Sequence, residues 1–205
     1  MHGPANNVIV LDFETTGMSP DYGDRVIEVG AVRIAEGEIV DRFQGLMNPG
    51  MRINSFIEEF TGITNAMVAN APPCEEVMTD LNAFIGGSAI VAHNSSFDRR
   101  FLQAEWRRLS VDCDNAFACS MLTSRRIYPE APNHKLGTLV AYNNLKNDGV
   151  FHRALADAEM TAYLWLHMLQ QIERRFDVFD IRFSTMQALA KVSKASVTKF
   201  FAELK

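Results

Sequence analysis

Residues 8–17 read Val8-Ile9-Val10-Leu11-Asp12-Phe13-Glu14-Thr15-Thr16-Gly17, a continuous apolar run of strand length that closes on two acids and a turn residue. Such a run marks a central strand buried on both faces, so the chain needs a packed layer on each side of it. Side chains alternate along a strand, so Asp12 and Glu14 leave from one face and Phe13 enters the opposite layer. Two carboxylates held together repel and shift each other's pKa unless a cation relieves them. Hard divalent ions such as Mg2+ or Mn2+ prefer carboxylate oxygen. A solvated strand end accounts for the same short pattern, so the pair alone does not decide the chemistry.

Two further stretches repeat the arrangement. Ala89-Ile90-Val91-Ala92-His93-Asn94-Ser95-Ser96-Phe97-Asp98 is a short apolar strand followed by a helix whose buried stripe is Phe97, Phe101, Leu102 and Leu109. Asp98 falls in the first turn of that helix, where free N–H groups favour an anion. Ser95 and Asp98 also fit a Ser-x-x-Asp helix cap, which would explain the acid without a metal. After a loop at 143–149 comes Phe151-His152-Arg153-Ala154-Leu155-Ala156-Asp157-Ala158-Glu159, opening a helix expected to run to about Gln170. His152 lies at or before the helix start. Asp157 lies within the helix, on a small-residue face of Ala154, Ala158 and Thr161 that allows close approach to the sheet. A lone histidine before a helix is commonly a surface or capping residue; the five positions taken together point to a site.

Those residues carry a resemblance. Asp12-Phe13-Glu14-Thr15-Thr16-Gly17, His93-Asn94-Ser95-Ser96-Phe97-Asp98 and His152-Arg153-Ala154-Leu155-Ala156-Asp157 resemble, in order, the three motifs of the DEDDh exonuclease family. That family includes the proofreading subunit of bacterial replicative DNA polymerase, RNase T and oligoribonuclease. The likeness covers residues 7 to about 170. Phe60-Thr61-Gly62-Ile63-Thr64 also resembles a family segment lining the substrate cleft, although several relatives carry His where this chain has Thr61.

The resemblance implies phosphodiester hydrolysis by two divalent ions, Mg2+ or Mn2+, roughly 3.5 to 4 Å apart. Asp12 would bridge both, Glu14 and Asp157 would complete the nucleophile side, and Asp98 would hold the second ion. His152 would take the proton of the attacking water, which suits an imidazole of ordinary pKa near 6.5. It further implies attack at a 3′ end, with Thr15, Thr16 and Phe97 near the terminal nucleotide and Thr61 and Arg153 as further substrate contacts. Phe97 reads equally as the first core residue of its helix.

Composition is consistent with this picture. The chain of 205 residues is 47% hydrophobic, enough for one well-buried core and a modest extension. Its formal charge of −5 argues against coating duplex nucleic acid and for engaging a short single-stranded or frayed 3′ end, with Lys135 and Arg153 among the basic residues that could meet phosphate. Cys74, Cys113 and Cys119 lack a paired spacing, which argues for a reducing interior. No apolar stretch is long enough for a bilayer, and residues 1–7 lack signal-peptide character, so a cytoplasmic protein is expected.

The expected architecture is α/β: a mixed five-stranded sheet flanked by helices, which the resemblance makes ribonuclease H-like, with a short helical C-terminal extension. Strands are expected at 26–34 and 38–46, joined around Gly37, and at 115–118, with helices near 54–60, 64–69 and 73–85. The exonuclease domain spans 1–170 and the extension 171–205. Helices are expected at 186–192 and 196–204, a faint helix-turn-helix echo there being too short, and the extension would pack on the core or on a partner. His134 reads as a surface-loop histidine. DNA is the favoured substrate because Glu14-Thr15-Thr16-Gly17 resembles the proofreading branch. The competing readings are an RNA exonuclease of RNase T or oligoribonuclease type and a catalytically silent polymerase-associated subunit. A polymerase partner or a homodimer is compatible with the sequence.

Overall fold

The chain forms one five-stranded sheet in the order β3-β2-β1-β4-β5. The structure, a computed structural model, describes residues 3–147 and 152–204; part of the loop read at 143–149, and Phe151, lie outside them. β1 is Val8–Thr15, β2 Val26–Ala35 and β3 Glu38–Leu46. These three form an antiparallel meander, while β4 (Ile90–Ala92) and β5 (Phe117–Cys119) add in parallel beside β1. The β2–β3 turn places both Glu36 and Gly37 at positive φ, the hairpin geometry whose twist matches the flanking strands.

Period-two alternation sorts β1 into two cores. Ile9, Leu11 and Phe13 join Val29 and Ala31 beneath α3 (Cys74–Ile85) and α4 (Ser95–Arg108), in a cluster that includes Trp106. Val8 and Val10 join Val32 and Ile34 on the other face, under α5 (Ser120–Ile127) and α7 (Ala154–Phe176), around Trp165. Asp12 and Glu14 continue this second series, and their β2 partners in register are Gly30 and Glu28. Two short helices, α1 (Ser55–Thr61) and α2 (Asn65–Ala69), follow β3; α6 (Leu136–Tyr142) precedes the loop to α7.

Several expectations are corrected. α7 runs to Phe176 rather than Gln170, because Ile172 and Phe176 continue its buried stripe and Asp177 in the left-handed conformation ends it. The Ser95 cap does not form. Asn94, at φ 75°, is the residue before α4; it makes no capping hydrogen bond, and Ser95 is already helical. The fifth strand lies at Phe117–Cys119 instead of 115–118.

In the extension, α8 is Phe183–Leu189, offset from its expected range, and α9 is Val197–Ala202, inside its expected range. The offset follows burial: Phe183, Met186, Leu189, Val197 and Phe201 complete the core around Trp165 and Met168. Phe176 and Phe201 stack with centroids 4.3 Å apart, and the Trp165 indole N–H donates to the Ala5 carbonyl at 2.8 Å. The extension therefore packs on the core. Among the described residues no helix is long and apolar enough to cross a membrane.

Candidate active site

The five expected catalytic residues meet at the end of β1. A cleft of about 550 Å3 is lined by Asp12, Asp157 and His152, with Phe60, His93 and Lys135 among its other walls. One ligand atom each from Glu14, His152 and Asp157 lies within 4.8 Å of the others. Asp98 arrives from the opposite layer on the first turn of α4, buried at 2% exposure, and the backbone N–H groups of Asp98 itself and of Phe13 favour its charged form. Phe13 sits between Asp12 and Glu14, so this contact ties Asp98 to the same strand end.

Mutual repulsion in a desolvated place is visible in the acid strengths. Asp12 is raised well above the ordinary carboxylate range by burial first, then by Asp98, Asp157, Glu14 and Glu28. Glu14 is pushed up to about 8, by burial and then by Asp157, Glu28 and Asp98, with Arg153 opposing. Burial raises Asp98 to about 7. Acids arranged this way are in conflict with one another unless a multivalent cation shares them, and an all-carboxylate oxygen set with one imidazole suits a divalent ion. The residues present therefore fit a divalent metal site.

What brings α7 to the acids is a carboxylate that sequence reading passed over. Glu28, 1% exposed, faces Glu14 across the β1–β2 register and receives three donors at the start of α7. Arg153 reaches it through Nη2 at 2.6 Å and Nε at 3.1 Å, and the Ala154 backbone N–H donates at 3.1 Å. Glu28 thus caps, from another element, a helix whose own cap residue Arg153 offers no acceptor. Close approach is possible because residue 30 is glycine: a Cβ there would overlap the Ala154 carbonyl and the Leu155 nitrogen. A charge inside the apolar run Val26-Ile27-Glu28-Val29-Gly30-Ala31 was the available signal.

His152 is placed differently. It lies outside α7 at φ 62°, exposed, with its backbone N–H donating to Asp157 Oδ2 at 3.0 Å. Its ring lies on Phe60, centroids 4.0 Å apart, and Phe60 in turn stacks on Phe56. Phe60, 49% exposed, is a cleft residue that the sequence reading quoted without assigning. His93 is another. Its Nε2 lies 2.9 Å from the His134 carbonyl, which can only accept, so Nε2 carries the proton and Nδ1 accepts from Ser120 Oγ at 2.8 Å. Burial pushes this imidazole down to about 4, so it stays neutral and fixes the loop that delivers Lys135.

The expected substrate contacts fall in varied places. Thr15 Oγ1 donates to the Gly17 carbonyl, and Thr16 Oγ1 bonds Asp24 and accepts from the Arg25 N–H; both residues are buried. Thr61 is buried too, donating to the Ile57 carbonyl and accepting from the Ile63 N–H around Gly62 at φ 71°. Phe97 is half-buried against Phe101, centroids 4.9 Å apart. Arg153 is engaged by Glu28.

The RNase_T exonuclease family model matches residues 9–165. DNA polymerase III PolC-type of Bacillus subtilis (strain 168) is 40% identical over 164 residues, covering 79% of this chain and 11% of that protein. The PolC-type protein of Caldanaerobacter subterraneus subsp. tengcongensis is 38% identical over 165 residues, covering 80% of this chain and 12% of that one. The chain thus spans about an eighth of the length of these relatives. Exonuclease X, solved in complex with 5′ overhanging duplex DNA, superposes with a TM-score of 0.69 at 26% identity, covering 89% of this chain and 99% of its own. The nuclease domain of 3′hExo, a DEDDh family member bound to rAMP, gives 0.69 at 22% identity over 86% of this chain and 95% of its own.

Proposed function

Because the chain belongs to the exonuclease family, we propose that it removes nucleotides from the 3′ end of single-stranded or frayed DNA, releasing nucleoside 5′-monophosphates. The observation that supports this most is the gathering of Asp12, Glu14, Asp98 and Asp157, from three separated segments, around one strand end beside His152. The catalytic set in this reading is those four acids and His152.

Mg2+ or Mn2+, as a pair, would be held by the four carboxylates and would supply charge for the scissile phosphate and an acidified water. The chain's own residues do the rest. β1 fixes Asp12 and Glu14 through sheet register, and α4 and α7 bring Asp98 and Asp157 to them as rigid first-turn residues. His152 takes the water's proton at an imidazole nitrogen, and its position outside α7 lets it swing between Phe60 and the cleft. Phe60 offers a flat face against which a terminal base can lie. As substrate contacts, Thr15, Thr16 and Thr61, whose hydroxyls are engaged internally, would act through backbone, Phe97 would meet the terminal nucleotide, and Arg153 acts through Glu28. In this reading residues 1–170 carry the chemistry and 171–205 complete its core, and the DNA substrate places the protein in the cytoplasm. PolC-type relatives make a polymerase a natural associate.

The test is product analysis on matched 5′-labelled single-stranded DNA and RNA oligomers with and without Mg2+. A Mg2+-dependent ladder shortening from the 3′ end of DNA is expected. A strong preference for RNA would replace DNA by the RNase T-type reading, and an inert wild-type protein would leave the silent-subunit reading.

A further inference from the structure

The C-terminal extension lies beyond the stretch matched by the family, at 9–165, and it brings charge of the opposite sign to the acidic cleft. Residues 120–135 and 190–199 together carry Arg125, Arg126, Lys135, Lys191, Lys194 and Lys199 against the single acid Glu130, in a chain of net charge −5. The two stretches are joined. Arg126 Nε donates to the Val192 carbonyl at 2.9 Å, and Nη1 to Leu122 of its own helix, so the turn before Lys194 is fastened to α5. Arg126 is thereby structural, while Arg125, Lys135, Lys191 and Lys194 stay exposed. No ion pair among the described residues involves Arg125, Lys135 or Lys194; Lys199 pairs with Glu203.

The basic stretch is continuous with the cleft. Lys135 lines the cleft, and the neighbouring His134 has its carbonyl held by His93 in the cleft wall and its ring nitrogen 3.1 Å from the Tyr128 carbonyl at the end of α5. Burial holds the His134 imidazole below its ordinary range, and Arg125 and Lys194 push in the same direction, so both cations act electrostatically on the loop that carries Lys135. Exposed, unpaired cations leading away from a metal-requiring acidic centre suit a polyanion whose end is in that centre.

We propose that Arg125, Lys135 and Lys194 form a phosphate-binding rim, one of its three cations supplied by the C-terminal extension, along which the strand 5′ of the scissile bond is held by its backbone. This rests on the nuclease reading, since it is the terminal nucleotide in the cleft that directs the strand onto the rim. It explains how a net-acidic protein holds a polyanion: the acids are neutralised by metal at one spot, and the cations lie along the path of the phosphates. Backbone contacts of this kind hold any sequence and vanish for a substrate with no further phosphates.

The test compares wild type with the double variant R125E/K194E on two substrates, a single-stranded 20-mer DNA and the p-nitrophenyl ester of thymidine 5′-monophosphate, with Mg2+. Both substituted side chains are exposed, and unchanged thermal unfolding verifies the fold. The rim predicts ester hydrolysis within about twofold of wild type, a roughly tenfold higher KM on the 20-mer, and a slope of log(kcat/KM) against log salt flatter by about 1.4, two single-strand phosphate contacts' worth. An unchanged KM and salt slope on the 20-mer, or an equal loss on both substrates, overturns it. Were wild type inert on both substrates, the nuclease reading would fail separately. Fluorescence anisotropy of the labelled 20-mer would then decide the rim: about tenfold weaker binding by the variant supports it, and equal binding overturns it.

Discussion

The two sides of the cleft are built on different principles. On one side Asp12 and Glu14 are carried by a central strand whose register with β2 is continuous from Val8 to Glu14, so their separation follows from backbone geometry. On the other side His152 stands outside α7 at positive φ, its ring on an exposed phenylalanine. In the proposed function, the carboxylates that would share a cation sit on regular elements, and the group that would take a proton stands outside them at positive φ. Between them stands Glu28, which fastens the start of α7 to the sheet, so that Asp157 belongs to the rigid side although it is only five residues from His152.

The largest effect is expected at the rigid side. Asp12→Asn removes a carboxylate that would hold metal in the proposed function, and kcat on an end-labelled oligomer should fall by more than about 10³-fold at every pH, with folding intact by circular dichroism. His152→Ala should lower kcat by roughly 10²-fold near neutrality and leave Mn2+ affinity within a few-fold of wild type, because general-base loss acts on the rate. Equal damage to metal binding would place His152 on the rigid side instead.

Glu28→Gln sharpens the boundary. It keeps shape and burial but loses the charge that holds Arg153 and one acceptor for the Ala154 N–H. A roughly tenfold loss of kcat and of Mn2+ affinity is expected, as for an outer group that orients a ligand. KM for a short oligomer should be unchanged, and an unchanged kcat would show that α7 is positioned without it.

The smallest effect is on stability. Glu14 is raised from about 4.5 to about 8 and Asp98 from 3.8 to about 7 in the metal-free fold. The folded state then holds protons that the unfolded chain releases. The stabilisation is complete below the unfolded values near 4, and it is lost as pH rises through about 7 to 8. Thermal melts in EDTA should therefore fall from pH 5 to pH 8, and Mn2+ should raise Tm more at pH 8 than at pH 5. A metal-free Tm that climbs over this range would contradict the crowding of these acids.

How far all this could be read from sequence depended on whether a feature is local. The β1 acids and the meander around Gly37 follow from alternation and turn chemistry, which are written in adjacent residues, while the three motif segments were carried by the family resemblance. Residues 9–165 match an exonuclease family as the motif resemblance implied. The role of Glu28 was invisible because it depends on which residue of β1 it faces and on how near α7 comes to Gly30. Phe60 and His93 were missed for the same reason: each acts through a partner dozens of residues away. The end of α7 and the position of α8 were misplaced because burial against Trp165 and Met168, not local propensity, decides where those helices lie.

In the proposed function, acids from three segments share divalent ions at one strand end. Titration of metal-free protein with Mn2+ at pH 7.5, followed by calorimetry or electron paramagnetic resonance, tests it directly for wild type and Asp12→Asn. Two bound ions per chain in the wild type, with at least one lost in the variant, are predicted. Absence of Mn2+ binding, or binding indifferent to the loss of Asp12, would contradict the account.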